Sequence, residues 1–257
     1  MIFFVLVGLL GLVVGSFLNV CIWRIPRNQS IVRPASRCPS CGKPLRPWHN
    51  IPLVSYLFLR GRCASCGAPI SPRYPLVEAL NAALYVGVLY RFGWGWHLPV
   101  YLAFVSSLIV ITFIDLDFQI IPDGITLSWI PLALLAGAFL LPDPFMPGRL
   151  LGWKMSLEGA AAGFGLFYLV AVLSRGGMGG GDVKMMGMVG ALLGWKGVLL
   201  TTFVGSVSGS VVGAYVVLAR GGGRKTKVPF GPFLALGALV SLLVGREIVR
   251  WYLHAGA

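Results

Sequence analysis

Eight apolar stretches, near 2–22, 76–91, 98–114, 124–141, 157–174, 183–195, 197–219 and 229–249, account for most of the 257-residue chain. A helix needs about 20 apolar residues to cross the hydrocarbon core of a bilayer. Blocks of that length do not arise from the short periods of a soluble core. The sequence therefore predicts an all-α polytopic membrane protein of about eight transmembrane helices, or seven, because 76–91 and 183–195 are short for a span. Charge agrees: only 11% of the residues are charged, against about 25% in soluble domains. An ordinary soluble protein, a disordered chain and a disulfide-rich secreted scaffold are excluded. Thirty-five glycines suit helices that pack closely in lipid, where small residues let backbones approach. The first stretch lacks a basic leading segment and a small-residue cleavage site, so it reads as a retained helix.

The formal net charge of +13 would suggest nucleic-acid binding in a soluble protein. In a membrane protein, Lys and Arg collect in cytoplasmic loops. Residues 23–75 carry Arg24, Arg27, Arg33, Arg37, Lys43, Arg46, Arg60, Arg62 and Arg73, and no acid. Placing this segment in the cytoplasm puts the N-terminus outside. With eight spans, Arg175, Lys184, Arg220, Arg224, Lys225 and Lys227 then fall inside as well. Arg91, Arg149, Lys154, Lys196, Arg246 and Arg250 are left outside. The asymmetry accounts for the basic balance without a nucleic-acid partner, and attraction of the loop to anionic lipid follows as a secondary effect. The expected organisation is a first transmembrane helix at 1–22, a cytoplasmic loop domain at 23–75 and a transmembrane domain at 76–257.

The loop domain is too small for a large hydrophobic core and needs a staple. Four of the five cysteines supply one: Cys38-Pro-Ser-Cys41-Gly and Cys63-Ala-Ser-Cys66-Gly. Each C-x2-C turn aims two thiolates at one ion, and the glycine after each second cysteine suits a tight turn. Two such turns complete a tetrahedral four-sulfur shell, the preference of structural Zn2+. A reducing compartment disfavours disulfides, and a duplicated ribbon outside a βαβ context argues against two redox CxxC pairs. A shell closed by four thiolates has no open position, so the expected role is folding energy and not catalysis. Cys21, in the first span, reads as a small packed hydrophobe. His49 reads as a solvated or locally bonded residue, and His97 and His254 as interfacial ones.

Eight acids are sparse in a chain this long. Asp143, Glu158 and Glu247 sit near span ends, and Glu78 suits a helix N-terminus, with Arg73 nearby. Two clusters differ. FIDLDFQIIPDGIT holds Asp115, Asp117 and Asp123, and RGGMGGGDVKMMG holds Asp182. The topology puts both at the cytoplasmic membrane boundary, where a carboxylate without a countercharge marks a functional site. The glycines Gly176, Gly177, Gly179, Gly180 and Gly181 strip side chains from the approach to Asp182 and permit positive φ. Asp182 also suits the N-cap of the next helix. If Asp115 and Asp182 face each other, the two carboxyl groups share a proton, one acting as base toward water and the other as acid toward a scissile amide. An ion-coupled transporter would place its acids nearer mid-bilayer, on helices related by a repeat. A non-enzymatic zinc-loop scaffold would leave both aspartates idle.

The ordered blocks GSFLNVCIWRIP, NIPLVSYLFLRGRC with the paired cysteines, SPRYPLVEALNA, FIDLDFQIIPDGIT, MGGGDVKMMGMVGALLGW and PFGPFLALG resemble the type IV prepilin leader peptidases. These are bifunctional peptidase/N-methyltransferases. The resemblance implies a membrane-embedded GxGD aspartyl endopeptidase of the bacterial inner membrane. It would cut the basic leader from type IV prepilins or type II secretion pseudopilins, after a Gly, on the cytoplasmic face. By position it implies Asp182 as the GxGD aspartate and Asp115 as its partner, with Asp117 and Asp123 as alternative partners. It further implies N-methylation of the new N-terminal residue with S-adenosylmethionine as donor. Gly61 and the zinc loop of Cys38, Cys41, Cys63 and Cys66 are associated with that second activity.

Overall fold

The computed structural model describes residues 1–174, 177–220 and 229–254, with the side chains of Arg220 and His254 left out. Arg175, Gly176, Arg224, Lys225 and Lys227, which enter the topology and glycine-run readings, lie outside the described residues. The described chain is helical, with three isolated β-bridges and no strand among these residues. It forms two compact units, Met1–Val110 and Ile111–Ala257.

In the first unit, α1 (Ile2–Arg24) pairs with α3 (Arg73–Phe92). Glycine spacing makes that pairing close. A methyl group on Gly11 would stand 2.6 Å from the Cα of Ala82, and one on Gly15 would stand 2.7 Å from the Cα of Glu78. Backbones at this distance exchange polar contacts directly. Asn81 Nδ2 donates to the Gly11 carbonyl at 2.7 Å, and Asn19 Nδ2 to the Tyr74 carbonyl at 3.2 Å. Ser106 Oγ donates to Asn81 Oδ1 at 2.9 Å and lies 3.0 Å from the Tyr85 hydroxyl. In lipid each such bond contributes about 0.6–2 kcal/mol. Between α1 and α3 the chain makes two short 3-10 turns, at Ile25–Arg27 and Pro47–Asn50, and the five-residue α2 (Val54–Phe58). Ser106 lies on α4 (Leu98–Phe118), which continues into the second unit.

The second unit continues with α5 (Asp123–Phe139), α6 (Gly152–Leu173), α7 (Gly180–Arg220) and α8 (Gly231–His254). Small residues again set the contacts. A methyl on Gly159 would collide with the Gly190 carbonyl oxygen, one on Gly163 with that of Met186, and one on Gly237 with that of Thr201. Ser156 Oγ donates to the Ala191 carbonyl at 2.6 Å across the same α6–α7 seam.

All eight apolar stretches of the sequence are helical. The sixth and seventh, expected as separate spans, are two helices that meet directly within α7 at Gly194, whose φ of 71° and ψ of 178° leave the helical region. Only glycine takes that backbone cheaply. Among the described residues, five helices, α1, α4, α6, α7 and α8, are long and apolar enough to cross a membrane. The 17-residue α5 is shorter, and α3 carries Arg73, Glu78 and Arg91. Ile2, Phe3, Leu6, Leu9, Leu10 and Val13 of α1 are all exposed, a surface that lipid covers and water does not.

The α1–α3 seam yields a direct expectation. Gly11→Val places a branched side chain against the Ala82 backbone, so the thermal midpoint of the detergent-purified protein falls. Gly165→Val on α6, where nothing lies within 4 Å, leaves it nearly unchanged.

Candidate active site and metal centre

Asp115 stands in the last turn of α4 and Asp182 in the first turn of α7. They belong to the same unit, and both are buried, at 5% and 8% exposure. The two carboxyl groups are near enough for the charge of Asp115 to act on Asp182. Each is also met by backbone. Asp115 Oδ2 accepts the Gly231 N–H at 2.9 Å, at the start of α8. The Asp182 carboxylate accepts a bond from the Gly179 N–H, while the Asp182 N–H donates to the Gly179 carbonyl at 3.1 Å.

Within the glycine run before Asp182, Gly181 is the residue that space demands. A methyl on Gly181 would stand 2.8 Å from Ile121 Cβ, and one on Gly179 would stand 3.3 Å from Asp182 Oδ2. Positive φ, the other use expected of the run, is not what Gly177, Gly179, Gly180 and Gly181 supply: none of them adopts it. Asp182 lies inside the first turn of α7, so it does not occupy the N-cap position.

The alternative partners are placed differently. Asp117 is exposed near the end of α4. Asp123 opens α5 without a side-chain capping bond; its Oδ2 lies 2.7 Å from Lys184 Nζ, and its side chain is 55% exposed. An exposed pair of this kind contributes about 0–1 kcal/mol, but it ties the start of α5 to the turn that follows Asp182. Composition and spacing did not point to Lys184, to the Gly231 amide or to Ile121. The only signal was that all three sit inside the blocks carrying the family resemblance.

In the first unit Glu78 is buried, and its carboxylate accepts the Leu53 N–H at 2.8 Å and the Ser16 hydroxyl. Leu53 itself has φ 57° and ψ −49°, and Val54 N–H donates to the Pro52 carbonyl at 2.6 Å. That is a γ-turn of the rare, strained hand. Asp143, expected near an outer face, is buried, and its Oδ1 accepts the Phe145 and Met146 amides, closing a local turn.

The four loop cysteines converge. The sulfurs of Cys38, Cys41, Cys63 and Cys66 all lie within 4.8 Å of one another, and the Cys38–Cys66 separation is 3.9 Å. Four sulfurs around one ion at Zn–S bonds of about 2.3 Å stand about 3.8 Å apart, whereas a disulfide would bring a pair to about 2.0 Å. The two halves repeat each other. Cys38 N–H donates to Lys43 O at 3.0 Å and Gly42 N–H to Cys38 O at 2.9 Å; Cys63 N–H donates to Ala68 O and Gly67 N–H to Cys63 O, both at 2.9 Å. Gly42 and Gly67 have φ of 69° and 71°, so the glycine after each pair closes its turn as expected. Backbone amides of Cys41 and Ser40 pull the Cys38 thiol down to about 6. The Ala68 amide favours the Cys66 thiolate, but burial and the three neighbouring thiols outweigh it and push Cys66 up to about 11. His49 is not part of the cluster. Cys21 is buried in α1, as a packed apolar residue.

Residues 9–92 match the bacterial peptidase A24 N-terminal domain, and residues 102–214 match the type IV leader peptidase family. The chain is 38% identical to the prepilin leader peptidase/N-methyltransferase of Pseudomonas aeruginosa, over 96% of this chain and 92% of that one. It is 36% identical to the protein of the same name from Bacillus subtilis, over 95% of each. A Myxococcus xanthus relative of that name is 44% identical over 85% of this chain and 64% of its own. No solved structure gives a significant match. The chain belongs to the type IV leader peptidase family.

The sulfur cluster predicts a pH-dependent metal site. At neutral pH Cys66 without metal keeps a proton that a metal must displace. Metal binding therefore releases protons, its apparent affinity rises with pH, and acid discharges the ion through protonation of the thiolates. Elemental analysis of the purified chain should give one divalent ion per molecule, lost in Cys63→Ser.

Proposed function

We propose that this chain is a membrane-embedded aspartyl endopeptidase. It removes the basic leader of prepilins or pseudopilins at the cytoplasmic face of the inner membrane, then methylates the exposed N-terminus. The observation that carries the peptidase reading is that Asp115 and Asp182, at two helix ends of one unit, are both buried, with Ile121 between the glycines that adjoin them, while Asp117 and Asp123 are both exposed.

In this reaction the two carboxyl groups share one proton. The ionised one takes a proton from water as the water oxygen attacks the scissile carbonyl carbon. The protonated one gives its proton to the carbonyl oxygen. Collapse of the tetrahedral species breaks the C–N bond, and the departing amine takes up a proton. No covalent acyl-enzyme forms, so no Ser or Cys nucleophile is needed. The side-chain-free approach at Gly180, where a methyl group would meet nothing within 4 Å, leaves room for an extended substrate backbone.

Zinc is the metal that four clustered thiolates select, being tetrahedral, redox-inert and tolerant of sulfur. Cys38, Cys41, Cys63 and Cys66 would hold it, and its contribution is the folding energy of the 23–75 segment. S-adenosylmethionine supplies an electrophilic methyl group. Gly61, linked to methyl transfer by family resemblance, has φ 66° beneath the Tyr56 ring, where a methyl would stand 3.0 Å from the ring. A side chain there deforms the loop. The excess of Lys and Arg in 23–75 supports a cytoplasmic loop with the N-terminus outside. Peptide cleavage falls to 76–257 and methyl transfer to the stapled loop.

Asp115→Asn and Asp182→Asn each lower prepilin cleavage by roughly 10²- to 10⁴-fold or more, read by gel shift of a purified prepilin, with unchanged thermal midpoints. Asp117→Asn and Asp123→Asn retain most activity. Full cleavage by Asp115→Asn would overturn the pairing. Mass spectrometry of the mature product should find one added methyl group, and Gly61→Leu should lose that methyl while still cleaving.

A further inference from the structure

Asp115 is held from a distant part of the chain. Gly231 is the first residue of α8, and the N–H groups of a helix's first turn have no partner within the helix. Those of Phe233 and Leu234 turn back to the Phe230 carbonyl, at 3.1 and 3.2 Å. The Gly231 N–H instead points at Asp115 Oδ2, 116 residues away, in a buried bond of 2.9 Å. Only a residue without a side chain fits there. A methyl on Gly231 would stand 2.7 Å from Asp115 Oδ2, 3.2 Å from its Cγ and 3.2 Å from Ile121 Cδ1. Ile121 is the same residue that excludes a side chain at Gly181, one position before Asp182. Three segments of the second unit therefore meet without slack: the end of α4, the start of α7 and the start of α8.

We propose that Gly231 is a positioning residue of the peptidase: its N–H fixes one oxygen of Asp115, its missing side chain makes the approach possible, and Ile121 spaces the two supports. The inference rests on the assignment of Asp115 and Asp182 as the reacting pair. The bond to Oδ2 restrains rotation of the Asp115 carboxyl and favours Oδ1 for proton transfer. A misplacement of about 1 Å at such a group costs on the order of 100-fold in rate. It does so without weakening substrate binding, since Gly231 itself need not touch the substrate.

The test uses full-length enzyme in detergent micelles with a purified prepilin. Gly231→Ala keeps the N–H and adds the crowding methyl. Gly231→Pro adds side-chain atoms and also removes the N–H, at a helix position that proline tolerates, so Gly231→Ala reads the crowding alone and Gly231→Pro reads it together with loss of the bond. The expected result is a fall in kcat on the order of 100-fold, with KM, binding of an uncleavable prepilin and the thermal midpoint unchanged. A folded variant of either kind that cleaves at the wild-type kcat, beside an inactive Asp115→Asn, overturns the proposal. So does a loss in which kcat, substrate binding and thermal midpoint fall together, since that is the behaviour of a merely structural residue. Retained cleavage in Asp115→Asn would instead remove the underlying pairing, which separates the two failures.

Discussion

A polar group withdrawn from water into a lipid-covered bundle must find its partner inside the protein, because the bilayer offers none. In each unit that requirement decides where the polar residues can stand. Asn81 is met by the Gly11 carbonyl and Ser106, Asn19 by the Tyr74 carbonyl, and Ser156 serves the Ala191 carbonyl. The acids follow the same rule. Glu78 has the Leu53 amide, Asp115 the Gly231 amide, and Asp182 the Gly179 amide. Backbone amides dominate because they bring no charge of their own. They secure a carboxyl group while leaving it chemically available.

Backbone can serve side chains in this way only where helices come close, and closeness is what the glycines provide. Gly11, Gly15, Gly159, Gly163 and Gly237 each stand against neighbouring backbone. At Gly231 and Gly181 the same device is used on a smaller scale, around Ile121. The crowding is a question of volume. Positive φ is confined to different glycines, at the metal knuckles, at Gly61 and at the Gly194 break among others.

Helix existence was legible because apolar runs of spanning length permit little else. The four-sulfur site was legible because its ligands and turn glycines are local in sequence, as Gly42 and Gly67 demonstrate. The break at Gly194 was half legible: the apolar runs part there, yet helix resumes with no intervening loop. The surroundings of the acids were not legible. The Gly231 amide reaches Asp115 across 116 residues, and Lys184 reaches Asp123 across 61; no pattern of type or spacing encodes such meetings. Asp123 makes an ion pair because Lys184 stands opposite it on α7.

In the first unit the metal knuckles and the helices are joined by a continuous set of contacts. Ser16 on α1 and Glu78 on α3 share a hydrogen bond. Glu78 takes the amide of Leu53, at the centre of the strained γ-turn that opens α2. From α2, Tyr56 covers Gly61 and reaches toward the Ile70 carbonyl at 3.4 Å, and the Ile70 amide returns to the Gly61 carbonyl at 2.7 Å. Two residues beyond Gly61 is Cys63. A γ-turn of this hand costs on the order of 1–3 kcal/mol and persists only where its surroundings over-determine it. Here the surroundings are a buried carboxylate on one side and a sulfur cluster on the other. Glu78 is the sole acid among the first 110 residues, and it is spent on holding the loop's backbone. The loop's shape is therefore held at both ends, by the helices through Glu78 and by the turns that bring its four sulfurs together.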